Sequence, residues 1–345
     1  MIRFGINGFG RIGRCIVRLW LESEQLQKSL QLVQINSPSG GKIGGHLLKY
    51  DSIHGVLVSD IQCDDTSITI DDKKIAYTTY RNLEDMEWAS VDVVLECSGR
   101  YKDRDGLAIH LSNGAKKVLL SSPGQSLAKT IVYGVNHETL TQADNIVSAA
   151  SCTTNCLAPI LDVVMKSYEI QSGLMTTIHA FTTDQNLTDA SHKDLRRARA
   201  ATNSMIPTKT GAASTIGQVI PSLSGKLDGM AVRVPTANVS LLDLTLNLGE
   251  SVTLKAINDL FISAASNSHA GILACNDIPL VSCDFNQRVE SSIVDLTQTM
   301  VHGKTVKIMA WYDNEWAFAH RMIDLMLYMN NESPVKASEK ALFAG

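Results

Sequence analysis

Three observations predict an α/β chain, with a doubly wound parallel sheet in its first half and an α+β unit with a mostly antiparallel sheet in its second. A short apolar strand runs into the turn Gly8-Phe9-Gly10-Arg11-Ile12-Gly13 and then into an amphipathic helix. Apolar strands then alternate with helical stretches up to Cys152, the pattern of parallel βαβ units. Beyond it, alternating patterns at 239–248, 280–285, 291–296 and 306–311 suggest antiparallel strands, covered on one face by helices such as 254–264.

The chain has 345 residues, enough for two domains that each bury a core, and 44% hydrophobic with 19% charged residues is ordinary for a globular protein. A net charge of −4 gives no reason to expect nucleic acid or a membrane surface as partner, so an anionic ligand would need a local basic cluster. Seven scattered cysteines make no disulfide framework and suit a reducing compartment. The first strand begins at once, without a charged leader, and no apolar run is long enough to span a bilayer. The expected location is cytoplasmic.

In chain order, Met1–Asn7 is the first strand. The glycines of the following turn allow pyrophosphate to approach the helix N-terminus, and strand, glycine turn and helix in this order form the dinucleotide fingerprint. The next strand, 30–35, ends at Asn36-Ser37-Pro38, where an NAD-binding chain carries an acid for the ribose. A carboxylate there would repel a 2′-phosphate, whereas Ser37 can donate to one. Further strands are expected at 92–96, 117–121 and 130–134. The turns at Ser98-Gly99 and Ser121 lie at strand ends, the edge where nucleotides sit.

A strand-like run, 145–148, leads into Ser151-Cys152-Thr153-Thr154-Asn155-Cys156, and then Leu157, Ile160, Leu161 and Val164 recur at helical spacing. Cys152 is thus expected at a strand-to-helix turn, capped by Ser151 or Thr153, where first-turn N–H groups and the helix dipole favour a thiolate. An unpaired cysteine is more often inert packing, the reading given to Cys156; at Cys152 the hydroxyls and the helix start argue for a nucleophile. Two cysteines at this spacing make a poor metal site, and no metal is expected. His179, on the strand-like run 174–182, is the nearest downstream histidine and the candidate base. The polar stretch 183–205 concentrates arginines in an acidic protein, which suits an anion. Thr210-Gly211 precede a helix, a second phosphate seat, and Arg233 stands in an apolar strand as a paired or ligand-binding guanidinium. A last helix is expected from about Asn314 to Met329, and 332–345 reads as a flexible tail.

These segments resemble a known family. Gly5 to Arg14, Leu47-Leu48-Lys49-Tyr50-Asp51-Ser52, Ser151 to Pro159, Arg233-Val234-Pro235-Thr236 and Trp311 to Trp316 are similar to the phosphorylating glyceraldehyde-3-phosphate dehydrogenases, over residues 1–330. The resemblance implies a homotetramer, a Rossmann NAD(P)-binding domain of 1–151 completed by the C-terminal helix 315–331, and a catalytic domain of 152–314. It implies Cys152 as nucleophile and His179 as base in oxidation of glyceraldehyde 3-phosphate to 1,3-bisphosphoglycerate. The route passes through a thiohemiacetal and a thioester that inorganic phosphate releases. Thr182 and Arg233 match the site for the substrate's phosphate. Ser151, Thr153, Thr210 and Gly211 match the site for the attacking phosphate, with Arg197 assisting. Gly8, Phe9, Gly10, Arg11, Ile12, Gly13, Ser98, Gly99 and Ser121 match the cofactor edge, and Asn314 the residue that fixes the nicotinamide amide. The arginine-bearing stretch resembles the family's loop that packs near a neighbouring subunit's cofactor.

Three departures matter. Ser37 stands where NAD-specific members carry Asp, and Ala190-Ser191 stands where many NAD-specific bacterial members have Leu-Pro. Both are similar to the NADP-accepting branch, and Arg81 lies where a positive partner for a 2′-phosphate would fit. The expected cofactor is NADP, with NAD as a second. Phe318 replaces a tyrosine common in the family. The nearest rival is erythrose-4-phosphate dehydrogenase, which shares Asp189, Leu195-Arg196-Arg197 and the Phe318 type of C-terminus; Thr182 and Thr210-Gly211 favour glyceraldehyde 3-phosphate. A non-redox cysteine acyltransferase is the more distant alternative, and it would have no use for the glycine turn.

Overall fold

The computed structural model describes residues 1–127 and 129–333. An eight-stranded sheet has the spatial order 146–148, 117–120, 93–96, 2–7, 30–36, 73–78, 67–70, 61–63. Its first six strands are parallel, and the last two are added by antiparallel hairpins at one edge. The parallel strands are buried on both faces, as continuous apolar runs require; Phe4, Ile6, Val93, Val94 and Leu95 have no exposed surface. Helix Arg11–Glu22 covers one face with Ile16, Val17, Leu19 and Trp20, and the C-terminal helix Trp316–Met329 packs into the same core with Met322, Ile323, Leu325 and Met326.

A second sheet runs 206–209, 227–234, 170–180, 240–248, 305–312, 292–295, 273–276. Most of its pairings are antiparallel; 170–180 with 227–234 and 273–276 with 292–295 are parallel. Strand Ser240–Leu248 alternates, and its Leu242, Leu244, Leu246 and Leu248 face a core shared with helices Cys152–Met165, Ala212–Val219 and Leu254–Ser266.

Two expected strands are absent. Residues 130–134 keep only a single bridge, Thr130 to Ser148, before the chain turns at Gly134. The Asn136 side chain accepts from the Val132 N–H at 2.8 Å and donates to the Thr130 carbonyl at 3.0 Å, taking the groups a strand neighbour would have bonded. Residues 282–285 form a 3-10 turn, because the Asp284 carboxylate accepts the Val281 N–H at 2.8 Å and closes the segment locally. The strand with His179 ends at Ala180, and the C-terminal helix starts at Trp316 rather than Asn314. Most of the expected tail, 332–345, lies outside the described residues. No helix among the described residues is long and apolar enough to cross a membrane.

Candidate active site

Cys152 is the first residue of helix Cys152–Met165, and Ser151 is its N-cap, with Oγ accepting from the Thr154 N–H at 3.1 Å. The preceding Ala150 takes φ +59, the left-handed region a side chain avoids, so the chain turns sharply between strand and helix. Asn155 holds this turn from within: its Nδ2 donates to the carbonyls of Ala149 at 2.8 Å and Ser151 at 2.9 Å. Strand Ile170–Ala180 carries His179 to the same place, with Nε2 3.5 Å from Cys152 Sγ. Its Nδ1 lies 2.7 Å from the Ala180 carbonyl, which Arg233 Nη1 also approaches at 3.0 Å. Arg233 Nη1, which can only donate, also lies 2.7 Å from Nδ1, so the contacts there are met in either tautomer; the one a base needs has Nδ1–H donating to the Ala180 carbonyl and the Nε2 lone pair aimed at sulfur.

The charges of the pair differ from the expectation. Burial pushes the Cys152 thiol up, against the pull of Arg233 and of the Thr153 hydroxyl and backbone N–H. Burial, and then the positive charge of Arg233 at 2.7 Å from Nδ1, hold His179 down at about 3. The pair therefore rests as thiol and neutral imidazole, not as the standing thiolate that the helix N-terminus suggests.

Tyr312, part of the segment Trp311 to Trp316 but given no role there, lies beneath this pair. Its hydroxyl bonds Thr153 Oγ1 at 2.9 Å and Thr177 Oγ1 at 2.7 Å, and its ring meets the His179 ring edge-on at 5.9 Å. Thr153 is therefore buried with its hydroxyl held by Tyr312, and both that hydroxyl and the Thr153 N–H reach the sulfur. Nothing in the residue type marked Tyr312 out; only the register of strand Thr305–Tyr312 against Ser240–Leu248 places it there.

Of the expected anion donors, Arg233 stands against the pair itself. Arg233 Nε is buried without a partner, a guanidinium donor left over for a ligand. Thr182, just past the strand end, has its N–H and hydroxyl donating to Gln185 Oε1 at 3.0 and 3.2 Å. Gly211 caps helix Ala212–Val219 without a side-chain bond, and Thr210 Oγ1 accepts from the Ala212 N–H at 3.3 Å. Arg197 reaches this helix start, donating to Thr208 Oγ1 at 2.8 Å and to the Lys209 carbonyl at 3.2 Å, and it is also paired with Asp184. Arg199 pairs with Asp189. These two arginines of the loop thus meet carboxylates of the same loop, instead of standing free for an anion. Ser191 is exposed in that loop.

At the first sheet's carboxyl edge, helix Arg11–Glu22 begins at Gly10 with no side-chain cap and no acid in its first turn. Its leading N–H groups are thus open to an anion. Gly8 has φ +95, and a Cβ on it would meet the Ser98 backbone at 2.4 Å, so the glycine turn and the Ser98-Gly99 turn touch. Ser121 Oγ donates to the Glu96 carbonyl at 2.9 Å on the same edge. Phe9 packs edge-on against Tyr77, whose hydroxyl is buried near Ser37. Ser37 Oγ lies 3.0 Å from Ser39 Oγ. Arg81 is exposed; its carbonyl accepts from Arg100 Nη1 at 3.3 Å. Arg11 turns its guanidinium away from the turn, to Asp51 at 2.5 Å and Glu315 at 2.5 Å, leaving only its backbone for a ligand. Asn314 Oδ1 accepts from Ser240 Oγ at 2.9 Å, which fixes the amide and leaves Nδ2 to donate elsewhere. Phe318 is buried in the first core.

A thiol–imidazole pair stands at one helix start and an open glycine turn at another, and comparison with known proteins supplies the family. Residues 2–104 match the model for the NAD binding domain of glyceraldehyde 3-phosphate dehydrogenase, and 151–314 match the model for its C-terminal domain. The chain belongs to the glyceraldehyde 3-phosphate dehydrogenase family. A glyceraldehyde-3-phosphate dehydrogenase of Pseudomonas aeruginosa is 50% identical over 328 residues, covering 94% of this chain and 97% of that one. The plasmid-encoded glyceraldehyde-3-phosphate dehydrogenase of Cupriavidus necator is 46% identical, again over 94% of this chain and 97% of the relative. Glyceraldehyde-3-phosphate dehydrogenase 1 of Bacillus cereus is 45% identical over 96% of this chain and 99% of its own length. This chain is an oxidoreductase of the glyceraldehyde 3-phosphate dehydrogenase family, with a nicotinamide-dinucleotide-binding Rossmann domain.

Proposed function

We propose that the chain oxidises D-glyceraldehyde 3-phosphate to 1,3-bisphosphoglycerate, using inorganic phosphate and a nicotinamide dinucleotide, NADP in preference to NAD. The observation that carries the reading is Cys152 Sγ at a helix start, 3.5 Å from a histidine kept neutral by burial and by Arg233. As sulfur bonds to the aldehyde carbon, His179 Nε2 takes the thiol proton and hands it to the carbonyl oxygen, which becomes the hydroxyl of a thiohemiacetal and leaves the imidazole neutral again. Bound nicotinamide supplies the acceptor for the hydride that leaves that carbon. His179 takes the hydroxyl proton as the hydride leaves, and a thioester to Cys152 remains. A phosphate oxygen then attacks the thioester carbonyl, the C–S bond breaks, and sulfur regains its proton. Both deprotonations, of the thiol and of the hydroxyl, start from a neutral imidazole, which the depressed pKa secures throughout the neutral range, and the proton taken last is the one returned to sulfur.

The remaining donors fit this chemistry. Arg233 Nε and Thr182 would hold the substrate's phosphate, while Ser151, Thr210, Gly211 and the Thr153 N–H, with Arg197 behind Lys209, would hold the attacking phosphate. The uncapped turn Gly8–Gly13, with Ser98, Gly99 and Ser121, would take the pyrophosphate side of the cofactor, and Asn314 Nδ2 its carboxamide. Hydroxyls of Ser37 and Ser39 stand where a carboxylate would exclude a 2′-phosphate, and Arg81 lies three residues beyond Thr78, which bonds the Ser37 N–H. Ser191 would contribute from a neighbouring subunit of a homotetramer. The same reading divides the chain into a cofactor domain of 1–151 with 315–331 and a catalytic domain of 152–314, in a cytoplasmic enzyme. The test is kcat/KM for glyceraldehyde 3-phosphate with each cofactor, with phosphate omitted as control and erythrose 4-phosphate as second aldehyde. Oxidation should depend on phosphate and favour NADP and the triose; a preference for NAD beyond about tenfold, about 1.4 kcal/mol, refutes the cofactor assignment, and faster turnover of the tetrose refutes the substrate.

A further inference from the structure

Glu96 ends the strand Val93–Glu96 and has no exposed surface. Four donors converge on its carboxylate: Asn7 Nδ2 at 2.6 Å and His110 Nε2 at 2.9 Å on one oxygen, the Ser98 N–H at 2.7 Å and Ser98 Oγ at 2.5 Å on the other. The direction of these bonds is fixed from both ends by groups that cannot reverse. On one side Trp88 Nε1–H, which can only donate, points at His110 Nδ1 at 2.9 Å, so the imidazole must carry its proton on Nε2 and give it to Glu96. On the other side the Tyr80 backbone N–H donates to Asn36 Oδ1 at 2.9 Å, so Asn36 Nδ2 must donate to Asn7 Oδ1, at 2.8 Å, and Asn7 Nδ2 to Glu96. The site therefore requires an acceptor-only group.

What the carboxylate joins is the cofactor edge. Asn7 immediately precedes Gly8; Ser98 precedes Gly99; Asn36 precedes Ser37. The Gly8 and Ser98 backbones are in direct contact, with no room for a Cβ between them. We propose that Glu96 is the positioning residue of the dinucleotide site, a buried acceptor that sets the spacing of the glycine turn, the Ser98-Gly99 turn and, through Asn7 and Asn36, the Ser37 turn. It acts without touching the cofactor, so its loss weakens dinucleotide binding and spares the chemistry at Cys152. The inference rests on the dehydrogenase reading only for where the cofactor lies.

Glu96→Gln tests it, because an amide of the same shape must set its NH2 against a donor in either orientation, Asn7 Nδ2 with His110 Nε2–H or the Ser98 N–H. Kd for NADP and for NAD, measured by calorimetry on the folded tetramer or monomer, should rise about tenfold or more, about 1.4 kcal/mol. The KM for glyceraldehyde 3-phosphate and kcat at saturating cofactor should stay within about twofold. Asn7→Asp with Glu96→Gln restores one of the two links on that oxygen, since the carboxylate introduced at position 7 would accept both from Asn36 and from the amide introduced at position 96, while the His110 Nε2–H stays unmatched. The double variant should recover at least about half of the lost binding on a logarithmic scale. If Glu96→Gln does not fold, His110→Phe removes one of the four donors from a fully buried site and should still weaken dinucleotide binding about threefold with the substrate KM unchanged. Unchanged dinucleotide Kd in the folded variants overturns the proposal, as does a loss shared equally by kcat and both KM values, which marks a merely structural residue. Dinucleotide binding is read without turnover, so a chain that binds NADP but fails to oxidise the triose would refute the substrate reading and leave this inference standing.

Discussion

His179 makes the fold's stability depend on acid in a way that can be worked through in advance. Its imidazole is held at about 3, against an ordinary value of 6.5, first by burial and then by Arg233. A base whose pKa is depressed in the folded state leaves stability intact above its unfolded value and loses it as the unfolded chain takes up protons that the native state refuses. The window therefore opens near pH 6.5 and closes near pH 3. At pH 5 the unfolded imidazole is protonated and the folded one is not, which costs about 2 kcal/mol relative to pH 7. In His179→Asn the amide can still donate to the Ala180 carbonyl, as Nδ1 does, but carries no titrating group. Urea unfolding at pH 7 and pH 5, at one protein concentration, should show the parent losing about 2 kcal/mol more than the variant across that interval. Equal losses, within about 0.5 kcal/mol, would mean that the imidazole is not held neutral, and the base proposed for Cys152 would lose its physical support.

Two further outcomes follow from other parts of the site. Arg11→Met should destabilise the protein by about 3 kcal/mol, because Asp51 and Glu315 would be left as partly buried carboxylates without their guanidinium; calorimetry reads this as a lowered Tm, and a loss under about 1 kcal/mol contradicts the assignment. Ser37→Asp should shift the ratio of kcat/KM values toward NAD by at least about tenfold, through repulsion of the 2′-phosphate; an unchanged ratio would show that cofactor choice is made elsewhere.

Much of the site was legible in the sequence because local chemistry decides it. The spacing of Gly8, Gly10 and Gly13 between a strand and a helix, and Ser151 as the cap ahead of Cys152, are one-dimensional signals that survive into the fold. Even the pairing of Cys152 with His179 needed only a strand long enough to reach the helix start. What the sequence left hidden depends on side chains that recapture the backbone or on register between distant strands. Residues 130–134 have a strand's composition, yet Asn136 takes their hydrogen bonds; 280–285 alternate, yet Asp284 closes them into a turn. Tyr312 reaches Thr153 and Thr177 only through the pairing of 240–248 with 305–312, and the turn of Arg11 toward Asp51 and Glu315 joins residues 40 and 304 positions away. The resting charge on Cys152 could not be read from its helix position alone, since burial outweighs the donors around it.

The central claim is that Cys152 carries the substrate as a thioester that only phosphate releases. Rapid mixing of the protein with glyceraldehyde 3-phosphate and NADP, without phosphate, should give a burst of about one NADPH per site and an acyl adduct on Cys152 by mass spectrometry, with steady turnover resuming on phosphate addition. Sustained turnover without phosphate, or an undiminished burst in Cys152→Ala, would contradict it.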